Sequence, residues 1–254
     1  MIVGLALARR LESAEALIGA GCAQDAAVLE VAGGTAIFAG AGSPLTHAVG
    51  LGMRGPVRAD EMDRLEEFYV ARGAAVTVDL CPLADASLIE LLGQRGYLWT
   101  EFSNVLLRAA AEAEVPAPQM DVRLANPDEE QLWAHTVGRG FLEKDELTPE
   151  EMNIGLAIWH MPGSLCYLAF SGGRAAAAAA MAIQAGLANL FADSTMLGFR
   201  GAGLQAALVR ERLCAAARAG CDLATAATLP GSVSQRNYER LGFQVAYTKA
   251  ILVR

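Results

Sequence analysis

Hydrophobic and polar positions change period repeatedly along the chain, and each change predicts a new short element. Over residues 5–20, apolar and small side chains alternate with Arg9, Arg10, Glu12 and Glu15 at helical spacing, and Gly19 and Gly21 can end the helix. Residues 28–31 and 35–39 read as short strands around a Gly33-Gly34 turn, with a third strand over 46–53. A charged amphipathic helix is predicted over 60–72 and stops at Gly73. A buried strand at 75–80 ends before Pro82, a short helix covers 87–94, and 98–108 is a strand.

Residues 109–120 read A-A-A-E-A-E-V-P-A-P-Q-M, and the two prolines with little apolar weight predict a linker. The pattern then restarts with a strand at 122–125 and a helix over 128–138, for which Asn126 is the N-cap. Thr148-Pro149-Glu150-Glu151 starts a second helix that runs toward Trp159. A strand at 165–170, a turn at Gly172-Gly173 and a partner strand over 174–184 follow. The alanine run inside that partner strand favours helix by propensity. The hairpin context, together with the family resemblance given below, decides for strand. Next come a strand over 187–197, a glycine-rich turn, a helix to about Gly220, a strand over 223–229, a short helix within 230–240 and a last strand over 244–254.

The two halves end alike. Gly96-Tyr97-Leu98-Trp99-Thr100 through Leu107-Arg108 aligns with Gly242-Phe243-Gln244-Val245-Ala246 through Val253-Arg254 at a constant offset of 146. A long helix, a strand and a short helix precede each end, which reads as a tandem repeat of one α/β unit. A single domain with coincidental similarity is the competing reading. The expected domains are 1–108 and 121–254, joined by the linker at 109–120.

With 254 residues, 54% hydrophobic and 19% charged, the chain can bury one large core or two smaller ones, and disorder is excluded. The net charge of −8, without any basic block, argues against a nucleic-acid partner and mildly favours an amine substrate. Five cysteines without a C-x-x-C motif read as core thiols in a reducing compartment. His47, His135 and His160 lack metal-ligand spacing, so no metal is expected. No signal peptide is evident, and the uncharged stretch 175–192 reads as two buried strands joined at Ala185-Gly186 rather than a membrane span. These features lead us to expect a cytoplasmic protein with no membrane partner, acting as monomer or homodimer.

The candidate chemistry gathers at Leu197-Gly198-Phe199-Arg200-Gly201-Ala202-Gly203-Leu204-Gln205. A strand, a glycine-rich turn and a helix start expose backbone N–H groups at the positive end of a helix dipole, which suits an anion such as phosphate. The turn resembles the acetyl-CoA loop of the GNAT (GCN5-related) N-acetyltransferase superfamily, R/Q-x-x-G-x-G/A. Arg200 and Gly203 match that pattern, while Gln205 departs from its last position. Downstream, Tyr238-Glu239-Arg240-Leu241-Gly242-Phe243 is similar to the Y-x-x-x-G-F end of the same family.

The resemblance implies an α/β (α+β) fold of two tandem GNAT-like domains, each a mixed, mostly antiparallel sheet flanked by helices. It also implies transfer of an acetyl group from acetyl-CoA to a primary amine of a small molecule by direct attack. Thr195, Met196 and Leu197 would then hold the pantetheine arm, and Arg200, Gly201, Ala202, Gly203, Leu204 and Gln205 the pyrophosphate. Tyr238 matches the family's proton donor to the departing thiolate, with a core tyrosine packed beside Phe243 as the competing reading. Asp193 shares strand parity with Thr195 and is a candidate base, or a structural partner. Glu143 and Asp145 lie where acceptor-binding loops of the family sit. In the first half, Gly52-Met53-Arg54-Gly55-Pro56-Val57 replaces the loop, and Pro56 removes a donor. Leu92 stands where the second half has Tyr238, so this copy is expected to be structural or to form a cleft wall.

Two other readings compete. Gly201-x-Gly203-x-x-Ala206 fits a relaxed dinucleotide fingerprint, but Asp222 precedes its strand instead of following it. A non-catalytic acyl-CoA-binding module, sensor or scaffold, is the alternative from a different functional class.

Overall fold

The computed structural model describes residues 3–21, 26–110 and 120–254; most of the expected linker, 111–119, lies outside them. The first half opens with helix α1 (Leu5–Gly21), then the antiparallel strands β1 (Ala27–Val31) and β2 (Gly34–Phe38). Their turn is one residue earlier than expected. Ala32 and Gly33 take φ of 52° and 74°, the twist of a two-residue hairpin loop, and Gly34 is already in strand. A Cβ at Gly34 would collide with the Gly50 backbone, so glycine is needed there for close approach.

The strand expected over 46–53 is only β3 (His47–Val49). Gly50 and Gly52 turn the chain with φ of 72° and 67°, and the Gly52 N–H donates to Ala32 O. The rest of the half is α2 (Ala59–Val70), β4 (Thr77–Leu80), α3 (Ala86–Gln94) and β5 (Leu98–Ala109). Met62, Leu65 and Tyr69 of α2 pack with Val76, Val78, Leu88 and Leu92.

The second half runs β6 (Asp121–Leu124), α4 (Glu130–Leu142), α5 (Pro149–His160), β7 (Leu165–Ser171), β8 (Arg174–Gln184) and β9 (Leu187–Thr195). It continues with α6 (Leu204–Arg218), β10 (Leu223–Thr228), α7 (Val233–Arg240) and β11 (Gln244–Val253). The alanine run is a strand, as expected. β8 is paired on both sides, with Leu168↔Ala178 on β7 and Ala178↔Ser194 on β9, and Ala176 through Ala180 are wholly buried. Sheet pairing over a buried segment overrides helix propensity, which is a weak prior. The offset of 146 carries the starts of α2, β4, α3 and β5 onto those of α6, β10, α7 and β11 within one residue. Each half also contains one parallel pair, β3 with β4 and β9 with β10.

The chain forms two compact units, and their borders do not follow the halves strictly. The first unit is Met1–Val105, Thr228–Pro230 and Val245–Arg254, with strand order β1-β2-β3-β4-β11-β5. The second is Leu106–Ala227 and Gly231–Gln244, with order β10-β9-β8-β7-β6 beside the end of β5. The last strand, assigned from the sequence to the second domain, therefore pairs in the first, with Ala250↔Leu80 and Leu252↔Val78. The end of β5 joins the second unit, where Thr225 Oγ1 donates to Leu106 O at 2.9 Å. A repeat alignment gives both copies of the closing strand the same pattern, so the choice between sheets is not local. No described helix is long and apolar enough to cross a membrane.

Candidate functional site

In the second unit β9 and β10 run parallel from Leu187↔Leu223 to Leu190↔Ala226, and their ladder ends there. Beyond it β9 bulges: Ala178 faces Ser194 while Ala180 faces Phe191, and Ala192 takes φ of 55°. Carbonyls of β7 and β8 near the bulge accept from side chains of the flanking helices. The Trp133 indole N–H on α4 donates to Tyr167 O at 3.1 Å and Ala179 O at 3.3 Å, and Arg212 Nη1 on α6 donates to Ala180 O at 2.8 Å.

After the bulge, Ser194 Oγ donates to Val137 O at 2.8 Å, tying the end of β9 to α4. That approach needs Gly140, because a Cβ there would collide with Ser194 Oγ. Thr195 lies on the opposite face of the strand from Ser194, the face that also carries Asp193, as parity predicts. Met196 N donates to Ala176 O at 3.0 Å, and a single 3-10 turn spans Leu197–Phe199. Gly201 and Gly203 have φ of 78° and 80°, and nothing lies within 4 Å of a Cβ built on Gly201. Gly203 is the N-cap of α6, and Gly201, Ala202 and Gly203 are exposed. The first amides of α6, from Leu204 on, have no carbonyl one turn back within the helix. An open, glycine-lined turn on a helix N-terminus beside diverging parallel strands fits a pyrophosphate with an extended arm.

Gln205 has a role its mismatch with the motif hides. Its amide donates to Ser234 Oγ at 3.0 Å and accepts from Asn237 Nδ2 at 2.7 Å, which fastens α6 to α7. Arg200 turns away from the helix start. Its guanidinium donates to Thr195 O at 3.2 Å, to Gly140 O at 3.0 Å and to Glu143 Oε1 at 2.7 Å. Glu143 ends α4 in a left-handed conformation, φ 55°, and this ion pair holds it there. Asp145 pairs with Arg139. Both acids at the position of the family's acceptor-binding loops thus already have arginine partners.

Tyr238 and Asp193 come together inside the unit. Tyr238, 2% exposed, donates its hydroxyl to Asp193 Oδ2 at 2.8 Å and packs edge-on against Phe243. Asp193 is forked by Arg212, whose Nη1 lies 3.1 Å from Oδ2 and whose Nη2 donates to Oδ1. Arg212 is fully buried. Burial, then the charge of Asp193, pushes the Tyr238 phenol well above its ordinary range, so it holds its proton across neutral pH. Arg212 was missed in the sequence. It follows Leu204 and Leu208 at four-residue steps, so a cation stands on the apolar stripe of α6, and that was the available signal.

The first unit has its own buried charges. Lys249, 1% exposed, lies 2.6 Å from Glu15 Oε2 and 3.1 Å from Glu12 Oε1, and the Tyr247 hydroxyl donates to Glu12 at 2.7 Å. His47 Nδ1 sits 3.3 Å from Asp79 Oδ2. Glu15, His47 and Asp79 converge closely enough to ligate a metal, which spacing along the chain hides because they come from α1, β3 and β4. Lys249 already supplies the cation on Glu15.

No protein-family model matches the sequence, and no curated protein matches it. Solved structures do. A GCN5-related N-acetyltransferase from Kribbella flavida is similar over 97% of this chain and 95% of its own, with TM-score 0.71 and 19% identity. A tandem GNAT protein from the clavulanic acid biosynthesis pathway, solved without acetyl-CoA, matches over 94% and 87% with TM-score 0.64 and 14% identity. A GCN5-related N-acetyltransferase from Sphaerobacter thermophilus matches over 90% and 75% with TM-score 0.60 and 16% identity. At such identities the likeness speaks for architecture: this chain has the fold of the GCN5-related N-acetyltransferases, in a tandem arrangement of two units.

Proposed function

We propose that the protein is an acyltransferase that moves an acetyl group from acetyl-CoA to a primary amine of a small molecule, with the second unit holding the coenzyme. The observation that carries this reading is the end of the β9–β10 ladder at Leu190 and Ala226, with β9 running on to the exposed Gly201–Gly203 turn at the start of α6. Backbone groups of Thr195, Met196 and Leu197 would hold the pantetheine arm, and the amides of Gly201 to Gln205 the pyrophosphate. Acetyl-CoA supplies an activated thioester: the amine forms the C–N bond, the C–S bond breaks, the amine's proton passes to solvent water, the sulfur gains a proton, and its donor is reprotonated from solvent before the next turnover. The chain's contribution is chiefly to hold the two reactants in register. In this reading Tyr238 gives the sulfur its proton by turning its O–H away from Asp193, and Asp193 and Arg212 position the ring. The burial of Tyr238 and its edge-on contact with Phe243 favour a second reading, in which it only stiffens the core.

Calorimetric titration with acetyl-CoA should give one site per chain, and a thiol-release assay over a panel of amines should find turnover. Two sites, or none, would overturn the assignment to the second unit. Binding with no turnover on any amine would leave the acyl-CoA-binding module as the function.

A further inference from the structure

A cleft of about 660 Å³ opens in the second unit between α4, the β7–β8 hairpin and the Leu197–Phe199 turn. Its size is that of an ordinary small-molecule site. Its lining includes no residue of β10 or α7, and the β8–β9 ladder closes it off on the sheet side through Ala177↔Thr195 and the Met196 N–H to Ala176 O. It lies on the β8 side of β9, opposite the gap to β10, and meets the proposed coenzyme slot only at Met196 and Leu197. In a chain of net charge −8, the charge left unspent in this cleft is positive. Glu143 is committed to Arg200 and Asp145 to Arg139. Arg174 lies 5.4 Å over the Phe199 ring, and among the described residues it makes no ion pair. Among the same residues, neither ring nitrogen of His135 on the cleft wall has a hydrogen-bond partner. Leu132, Phe199 and Phe170, one face of which carries Arg123 at 4.7 Å, supply apolar surface.

We propose that this cleft is a second ligand site, for a flat aromatic ring that carries one carboxylate and a neighbouring hydrogen-bonding group. The ring packs against the phenylalanine-lined wall, Arg174 takes the carboxylate through its planar fork, and His135 meets the neighbouring polar group. A free amine is a poor fit, because it would meet Arg174 and no free acid.

The test uses the full chain with salicylate as probe, salicylamide as its neutral counterpart and benzylamine as a cation. Salicylate should bind at least tenfold more tightly than salicylamide, benzylamine should not bind, and saturation should shift the ring resonances of His135. Arg174→Gln, at an exposed position, should weaken salicylate at least tenfold and leave acetyl-CoA affinity unchanged. Equal binding of salicylamide, an unchanged salicylate affinity in Arg174→Gln, or unmoved His135 signals would overturn the proposal. A loss of acetyl-CoA affinity in Arg174→Gln would also overturn it, by making the cleft part of the coenzyme slot.

Discussion

In the first unit the helix after the parallel strand, α2, starts behind Arg58 and carries Asp60 and Glu61 in its first turn. In the second, α6 starts at Gly203 and has no acid there. The Glu61 carboxylate accepts the Arg58 N–H at 2.9 Å, so that helix start is capped from within the chain. Pro56 stands at the position of Ala202 under the offset of 146, before the N-cap, and offers no N–H there. The first helix start carries acids and a self-made cap, and the second is left open by glycines. Under the proposed function, those few residues at one helix end are what confine the coenzyme to the second copy.

The buried charges differ as well, and they give the largest expected effect. Arg212 has a single carboxylate, Asp193, whereas Lys249 has both Glu12 and Glu15. Asp193→Asn leaves a buried guanidinium without its anion and should cost about 3–5 kcal/mol. Glu15→Gln leaves Glu12 in place and should cost roughly 1–2 kcal/mol. Urea unfolding followed through Trp133 and Trp159 for the first variant, and Trp99 for the second, measures the contrast; equal losses would end it.

Gly203→Asp tests the helix ends directly. It places a side chain at φ 80° and a negative charge where the phosphates are proposed to lie. Acetyl-CoA affinity should fall at least a hundredfold, about 2.7 kcal/mol. Asp60→Asn with Glu61→Gln in the first unit should leave the stoichiometry at one, because the Gln amide oxygen can still cap the helix and Val57 stands where the second unit has Gly203.

Tyr238→Phe should lower kcat about tenfold with acetyl-CoA affinity unchanged. This is less than general acids usually contribute, because a phenol raised by burial and by Asp193 gives up its proton reluctantly. An unchanged kcat with a lower urea midpoint would assign the hydroxyl to the core alone.

The smallest effect concerns His47. Burial opposes its charge, but the charge and hydrogen bond of Asp79 outweigh that and raise its pKa above the ordinary value. The stabilisation is therefore full below about pH 6.5 and is lost as pH rises through the raised value. His47→Gln should flatten that part of the stability profile, by less than about 1.4 kcal/mol per pH unit, the limit for one group. A profile unchanged by the substitution would refute the His47–Asp79 coupling.

The elements, the repeat and the glycine turn were legible in the sequence because each rests on a local rule. Helical spacing, a two-residue strand period and a glycine pair act within a dozen or so residues. The alanine strand needed its flanking turns and the family resemblance together, because local propensity pointed to helix. The rest was decided by residues far apart in the chain. Which sheet receives β11 depends on pairing with β4, more than 160 residues earlier. The carbonyls of Ala179 and Ala180 beside the bulge take hydrogen bonds from Trp133 on α4 and Arg212 on α6, more than 30 residues away in sequence. Arg200 was legible as a phosphate ligand, yet the fold set it against Glu143. Glu15, His47 and Asp79 met only when three elements packed. Local patterns specify where the backbone bends and which face is apolar; desolvation and charge pairing act only once distant side chains share the same buried space.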